Sequence, residues 1–160
     1  IGNRGHLFYS QQRVGKDGVV FEILKYRTMV KNAESDGAVF TAANDSRVTA
    51  FGKFMRKTRM DEFPQFINIL KGDMAVIGPR PERPIFVKEI AEIMPFYETR
   101  HIIKPGLTGW AQVNYSYGET IDDSLIKLQY DLYYIKHRSI YLDMNIAFKT
   151  ITTILFYRGQ

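Results

Sequence analysis

The chain has 160 residues, enough to bury a core without disulfides or a structural metal, and its lack of cysteine excludes thiolate zinc sites, redox pairs and cysteine nucleophiles. The formal net charge is +5, and its placement matters more than its size: Arg47, Lys53, Arg56, Lys57 and Arg59 share one stretch free of acids. Such a stretch attracts phosphate, whether on a metabolite, a nucleic acid or an anionic membrane.

Taken in chain order, residues 6–10 and 19–24 are short and β-prone, and they flank Gly15-Lys16-Asp17-Gly18, so a β-hairpin is expected. Residues 29–44 are polar without a sustained period, the composition of a mobile loop able to close over a ligand. From Val48, apolar Phe51, Phe54 and Met55 follow helical spacing, with Gly52 a weak point and cations on the other face: a basic amphipathic helix. A second helix is expected to begin near Asp61, with Pro64 in its first turn, Phe63, Phe66, Ile67 and Leu70 apolar, and Gly72 closing it. Asp61 and Glu62 then sit where free N–H groups and the helix dipole favour negative charge.

Residues 78–84 are too proline-rich for a helix and hold Arg80 and Arg83 in a stiff connection. Pro84 suits the first position of a helix running to about Met94, with Phe86, Ile90 and Ile93 inward. Lys104-Pro105-Gly106 reads as a turn, followed by Gly109-Trp110 and a loop through Gly118. Residues 122–137 and 139–157 read as helices, the last with a broad apolar face suited to a membrane interface or to the core. No apolar run reaches the roughly 18 residues needed to span a bilayer. The opening Ile1-Gly2-Asn3-Arg4 has no initiator methionine and reads as the start of a fragment. The expected fold is α+β: one mostly helical domain over 1–160 with a small antiparallel hairpin-based sheet.

Walker A, Gly-x-Gly-x-x-Gly and Gly-x-Ser-x-Gly patterns are absent, and His6, His101 and His137 lack metal-ligand spacing. The unusual feature is the run from Arg56 to Gln65, in which cations lead directly into Asp61-Glu62. Nearby cations favour an ionised carboxylate, an ionised carboxylate can attack phosphorus, and its neighbour can hold Mg²⁺ against substrate phosphates. A helix-capping acidic pair with ordinary salt bridges is the other reading.

Several blocks stand in a telling order: Arg13-Val14-Gly15, Lys25-Tyr26-Arg27-Thr28-Met29, Asn44 to Thr49, Arg56 to Gln65, Gly72-Asp73-Met74, Gly78-Pro79-Arg80-Pro81, Pro105 to Val113 and Tyr130 to Lys136. In order and spacing they resemble the bacterial sugar transferase family of monotopic phosphoglycosyl transferases, over almost the whole chain. The resemblance implies transfer of a sugar-1-phosphate from a UDP-sugar to polyprenyl (undecaprenyl) phosphate, initiating polysaccharide or glycoconjugate synthesis. It implies a ping-pong reaction with Asp61 as nucleophile, Glu62 associated with Mg²⁺, UMP released, and Arg56 near the substrate phosphates. Lys25, Arg27, Arg80 and Arg83 are expected as further phosphate contacts, a solvated surface cation being the alternative for each. The implied location is the cytoplasmic face of the bacterial inner membrane, with the lipid surface as a partner and no nucleic acid. Family members carry a hydrophobic membrane segment ahead of this domain. A non-catalytic basic membrane-surface or protein-interaction module is the competing reading, and the intact Asp61-Glu62 pair argues against it. Asp45 and Arg47 are expected to pair, Asp73 to end a helix, and Asp131 to rank behind Glu62 as a site carboxylate. Trp110 suits a lipid interface, a nucleotide or the core.

Overall fold

The computed structural model describes residues 6–31, 33, 45–115 and 121–155. Strands β1 (Phe8–Val14) and β2 (Val20–Tyr26) form the expected antiparallel hairpin, longer than the sequence pattern indicates, in register from Phe8 opposite Tyr26 to Val14 opposite Val20. The turn works because Asp17 and Gly18 both take left-handed backbone (φ 56° and 77°), which aspartate tolerates and glycine adopts freely. Along β1 the odd-numbered residues Tyr9, Gln11 and Arg13 are half-buried while Phe8, Ser10 and Gln12 face solvent, so the hairpin turns a polar face inward.

Helix α1 (Ala50–Lys57) is capped by the Thr49 hydroxyl, which accepts from the Gly52 N–H at 3.0 Å. Gly52 is no weak point. A Cβ there would stand 2.1 Å from the Thr28 carbonyl oxygen, so glycine is what lets α1 lie against residue 28. The packed side is Gly52 and Met55, whereas Phe51 and Phe54 are 70% and 53% exposed.

Helix α2 (Gln65–Lys71) also departs from expectation. The segment at Asp61 is a separate 3₁₀ turn, Met60–Glu62, and α2 starts only after Pro64. Left-handed Gly72 ends the helix as expected. Its outward residues are the apolar Phe66, Ile67 and Leu70, with Phe63 also exposed just ahead of the helix, while Gln65 and Asn68 are buried. The reason lies in β2, whose outer edge needs hydrogen-bond partners. Asn68 supplies them, accepting from Leu24 N–H at 3.0 Å and donating to the Glu22 carbonyl at 2.8 Å.

Strand β3 (Ala75–Ile77) pairs in parallel with β4 (Gly106–Thr108), a second small sheet that the sequence pattern hides. Residues 104–106 therefore lead into a strand rather than simply turning. A Cβ on Gly106 would sit 2.1 Å from the Gly78 nitrogen, so this pairing also requires glycine. Helix α3 (Pro84–Ile93) begins with proline as expected, but Ile93 points to solvent and Met94 takes its inward place. Short α4 (Trp110–Asn114), α5 (Ile121–His137) and α6 (Ile140–Leu155) complete the described elements. One core cluster joins Val14 to α3 and Leu128; another joins Tyr134, Leu142 and Ile146 with Trp110 packed at its edge. Trp110 stacks on Tyr133 and carries the Lys149 ammonium 4.6 Å above its ring, which gives it a packing role. The fold is α+β as expected, and among the described residues no helix is long and apolar enough to cross a membrane. Of the expected loop over 29–44, only residues 29–31 and 33 are described, with Met29 bridged to Val48; the remainder lies outside the described residues. Asp45 and Arg47 pair at 2.5 Å close by.

Candidate active site

A cavity of about 740 Å³ opens between the inward face of the hairpin, the 3₁₀ turn, the 78–84 connection and α5. Asp61, Glu62, Lys25, Arg27, Arg56, Arg80 and Arg83, the residues singled out from sequence, all line it.

Arg59 delivers the acidic pair. After α1 ends at Thr58, Arg59 takes left-handed backbone (φ 57°), and the chain reverses so that Asp61 and Glu62 turn inward, each 8% exposed. A non-glycine residue in that region is strained by about 1–2 kcal/mol, which the surrounding contacts must hold in place.

The two carboxylates have different environments. Glu62 is gripped by Arg80, whose two terminal nitrogens bond its two oxygens, and Lys25 Nζ lies 3.6 Å from Oε1. Burial alone would raise its pKa, but Arg80, Lys25 and Arg59 overcome this and hold Glu62 ionised well below the usual carboxylate range. The Asp61 carboxylate, by contrast, accepts no hydrogen bond and forms no ion pair among the described residues. Burial, then the Glu62 charge, push its pKa up, while Lys25, Arg56 and Arg80 pull it down. Burial and the Arg80 charge bring Lys25 down to about 8, despite the nearby Glu62. Arg56 is aimed by a 2.9 Å bond from Nε to the Thr28 hydroxyl, and Arg83 lies over the Phe86 ring at 5.6 Å.

Behind this front stands a second layer that the sequence only partly revealed. Arg100 donates to the Arg80 carbonyl (2.8 Å) and the Tyr97 hydroxyl (2.7 Å) and pairs with Asp131 at 2.7 Å, fixing the backbone that carries the Glu62 clamp. Asp131 thus faces Arg100 rather than the acidic pair. Asp73 accepts from Asn68 at 3.3 Å beside Gly72, consistent with an end-of-helix role. Arg59, Glu82, Arg100 and the β1 residues Tyr9 and Gln11 were not anticipated as lining residues. The polar run from Tyr9 to Arg13 does not distinguish one strand face from the other, and for Arg100 and Glu82 there was no local signal, because their partners are distant in sequence.

The sequence model of the bacterial sugar transferase family matches residues 1–157. The chain belongs to the bacterial sugar transferase family. Within the family's curated members it is 52% identical over 151 residues, 94% of this chain and 36% of the relative, to the UDP-N-acetylgalactosamine-undecaprenyl-phosphate N-acetylgalactosaminephosphotransferase of Aeromonas hydrophila. It is 41% identical over 94% of its length to the UDP-glucose:undecaprenyl-phosphate glucose-1-phosphate transferase of Escherichia coli (strain K12), covering 33% of that protein. An uncharacterized sugar transferase of Bacillus subtilis (strain 168) is 34% identical over 96% of the chain and 72% of its own length. The chain thus spans about a third of the first two relatives. One carboxylate is neutralised by a fixed arginine while its neighbour, with no hydrogen bond or ion pair among the described residues, stands among cations, an arrangement chemically able to hold a diphosphate beside a carboxylate.

Proposed function

We propose that this domain transfers a sugar-1-phosphate from a UDP-sugar to polyprenyl phosphate through a covalent intermediate on Asp61. The observation that carries the reading is the asymmetry of the acidic pair: Glu62 is clamped by Arg80 and Lys25, and Asp61 is buried in a cation-lined cavity with no hydrogen bond or ion pair among the described residues. In the first step an Asp61 oxygen attacks the sugar-bearing phosphorus; the bond from that phosphorus to the bridging oxygen breaks, and UMP leaves with its electron pair. In the second step a phosphate oxygen of the polyprenyl acceptor attacks the same phosphorus, and the bond to Asp61 breaks. The products are a polyprenyl-diphosphate sugar and a regenerated carboxylate. Arg56, Arg59, Lys25 and Arg80 stabilise the charge on the transferring and leaving groups, with Arg27 and Arg83 as further phosphate contacts.

Mg²⁺ suits this cavity only together with substrate. Arg80 occupies part of each Glu62 oxygen's accepting capacity, and no group of three or more His, Cys, Asp or Glu residues able to hold a metal occurs among the described residues. Glu62 and Asp61 would therefore share the ion with diphosphate oxygens and water, the usual coordination of Mg²⁺. When bound, the ion neutralises charge on the leaving phosphate.

The lipid surface enters through the outward residues of α1 and α2. Phe51, Phe54, Phe63, Phe66, Ile67 and Leu70 are exposed next to Met60 and the Asp61 turn, and exposed Lys53, Lys57 and Lys71 flank them. Apolar side chains rimmed by lysine match an anionic bilayer surface, from which a polyprenyl phosphate would reach Asp61. This agrees with a place at the cytoplasmic face of the inner membrane. Incubation with Mg²⁺, undecaprenyl phosphate in detergent and UDP-N-acetylgalactosamine or UDP-glucose tests the reading. A polyprenyl-diphosphate sugar formed with equimolar UMP supports it. Release of free sugar phosphate without acceptor modification would refute the assigned second step.

A further inference from the structure

The inward face of β1 carries a chain of bonded side chains that the transfer chemistry does not use. Gln11 Nε2 donates to the Tyr9 hydroxyl at 3.0 Å, Arg13 Nη2 donates to Gln11 Oε1 at 2.7 Å, and Arg13 Nη1 donates to Glu82 Oε1 at 2.9 Å and to the Pro81 carbonyl at 3.2 Å. Tyr9, Gln11, Arg13 and Glu82 all line the cavity. A guanidinium can only donate, so the Gln11 oxygen must face Arg13 and its nitrogen must face Tyr9; turning the amide over would set N–H against N–H. Each end of the amide makes a single hydrogen bond among the described residues. A primary amide has two N–H groups and two acceptor lone pairs, so one donor and one acceptor remain on the adjacent nitrogen and oxygen of a group whose orientation is fixed.

Their position along the cavity is also defined. Tyr9 stands opposite Lys25 in the hairpin register, and Lys25 reaches to 3.6 Å from Glu62. Gln11 lies two residues further, about 7 Å along the strand, a displacement suited to a ribose between phosphate and base. The ligand that fits a side-by-side donor and acceptor is an imide edge, an N–H beside a carbonyl. The acetamido group of an amino sugar fits less well, because a trans secondary amide directs its N–H and its carbonyl to opposite sides.

We propose that Gln11, locked by Arg13 and Tyr9, reads the uracil ring of the nucleotide-sugar, Oε1 accepting from the ring N3–H and Nε2 donating to the adjacent carbonyl oxygen. The inference rests on the cavity being a UDP-sugar site and adds the residue that selects the nucleotide. Cytosine presents an acceptor at N3, which faces Oε1 lone pair to lone pair. Glutamine could accommodate cytosine by turning its amide over, and Arg13 prevents that turn. The selectivity therefore belongs to the Gln11–Arg13 pair.

The test is calorimetric titration of UMP and CMP into the wild-type chain and into Gln11→Leu and Gln11→Glu, with near-ultraviolet circular dichroism to establish that each variant is folded. Gln11→Glu keeps an oxygen against Arg13 and removes the donor, so it guards against a leucine variant that does not fold. The wild-type chain is expected to bind UMP at least about tenfold more tightly than CMP, and both variants are expected to bring that ratio close to one, chiefly through weaker UMP binding. A ratio unchanged by either folded variant overturns the inference and leaves the transferase reading standing. A UMP-to-CMP ratio that stays fixed while Gln11→Leu alters the preference between UDP-N-acetylgalactosamine and UDP-glucose also overturns it, in favour of sugar recognition. If the wild-type chain binds neither UMP nor a UDP-sugar, the inference falls together with the nucleotide-sugar reading.

Discussion

Replacing Arg80 with methionine removes the bidentate partner of Glu62 and leaves the carboxylate, 8% exposed, with Lys25 at 3.6 Å. Breaking a fully buried ion pair from one side costs about 3–5 kcal/mol, because a charge is left without compensation. Two features reduce that figure here: Lys25 remains, and the Arg80 side chain is 33% exposed, so water already screens part of the pair. A loss of about 2–3 kcal/mol at pH 7 is expected, which for a domain of this size corresponds to a melting point lower by roughly 4–12 °C. The variant should also titrate differently. Without Arg80 the Glu62 pKa rises, so part of the lost stability returns as pH falls and the carboxylate is protonated. The assay is urea denaturation of wild type, Arg80→Met, Glu62→Gln and the double variant at pH 7 and pH 5. The double variant should be more stable than the sum of the single losses implies by at least about 1.5 kcal/mol. Additivity within about 0.5 kcal/mol would show that Arg80 does not neutralise Glu62, and the division of labour between the two carboxylates would fail with it.

Other expectations follow from the same geometry. Asp61 must be ionised to attack and its pKa is raised first by burial and then by Glu62, so kcat/KM should fall on the acid side at a pH above that of an ordinary aspartate. Lys25, lowered to about 8 chiefly by burial, should set the alkaline limb near that pH in kcat/KM; bound diphosphate favours the charged ammonium, so the limb in kcat should lie higher. A flat kcat/KM between pH 7 and 10 would remove Lys25 from the substrate site. Arg59→Gly relieves the left-handed strain and deletes a cavity cation, so stability in urea should rise by up to about 1 kcal/mol while transfer activity falls; a loss of both would contradict the strain argument. Asn68→Ala strips two backbone partners from β2 and should cost about 2–4 kcal/mol by urea denaturation, although the residue is remote from the chemistry.

The sequence displayed the parts of the fold that local pattern controls. The hairpin followed from an Asp-Gly turn between β-prone runs, α3 from its leading proline, and the end of α2 from Gly72, and each depends on residues close together in the chain. What it concealed was which face of a helix packs inward. Phe66 and Leu70 have the spacing of a core stripe, yet Asn68 holds α2 against the edge of β2 and sends them outward, an outcome that depends on a strand more than forty residues earlier. The parallel β3–β4 pair was hidden because each strand has only three residues and their union rests on glycine contacts between distant segments. At the site, charge clustering drew attention to Arg56, Asp61 and Glu62, and the family resemblance added Lys25, Arg27, Arg80 and Arg83, all of which line the cavity. The clamp of Glu62 by Arg80 and its support by Arg100 and Asp131 join residues 18 to 31 positions apart, and no local pattern encodes such contacts. Gln11 sat within the continuous polar run from Tyr9 to Arg13, and the bond to Arg13 that orients its amide emerges only from the folded strand.

The central claim is that Asp61 becomes covalently loaded, and intact-protein mass spectrometry tests it most directly. Wild type and Asp61→Asn would be incubated with Mg²⁺ and UDP-N-acetylgalactosamine or UDP-glucose, without acceptor, quenched in acid and weighed. The predicted result is an added sugar-phosphate mass on the wild type that is absent from Asp61→Asn and disappears when polyprenyl phosphate is supplied before quenching. The same adduct on Asp61→Asn, or polyprenyl-diphosphate sugar formed at full rate by that variant, would contradict the account.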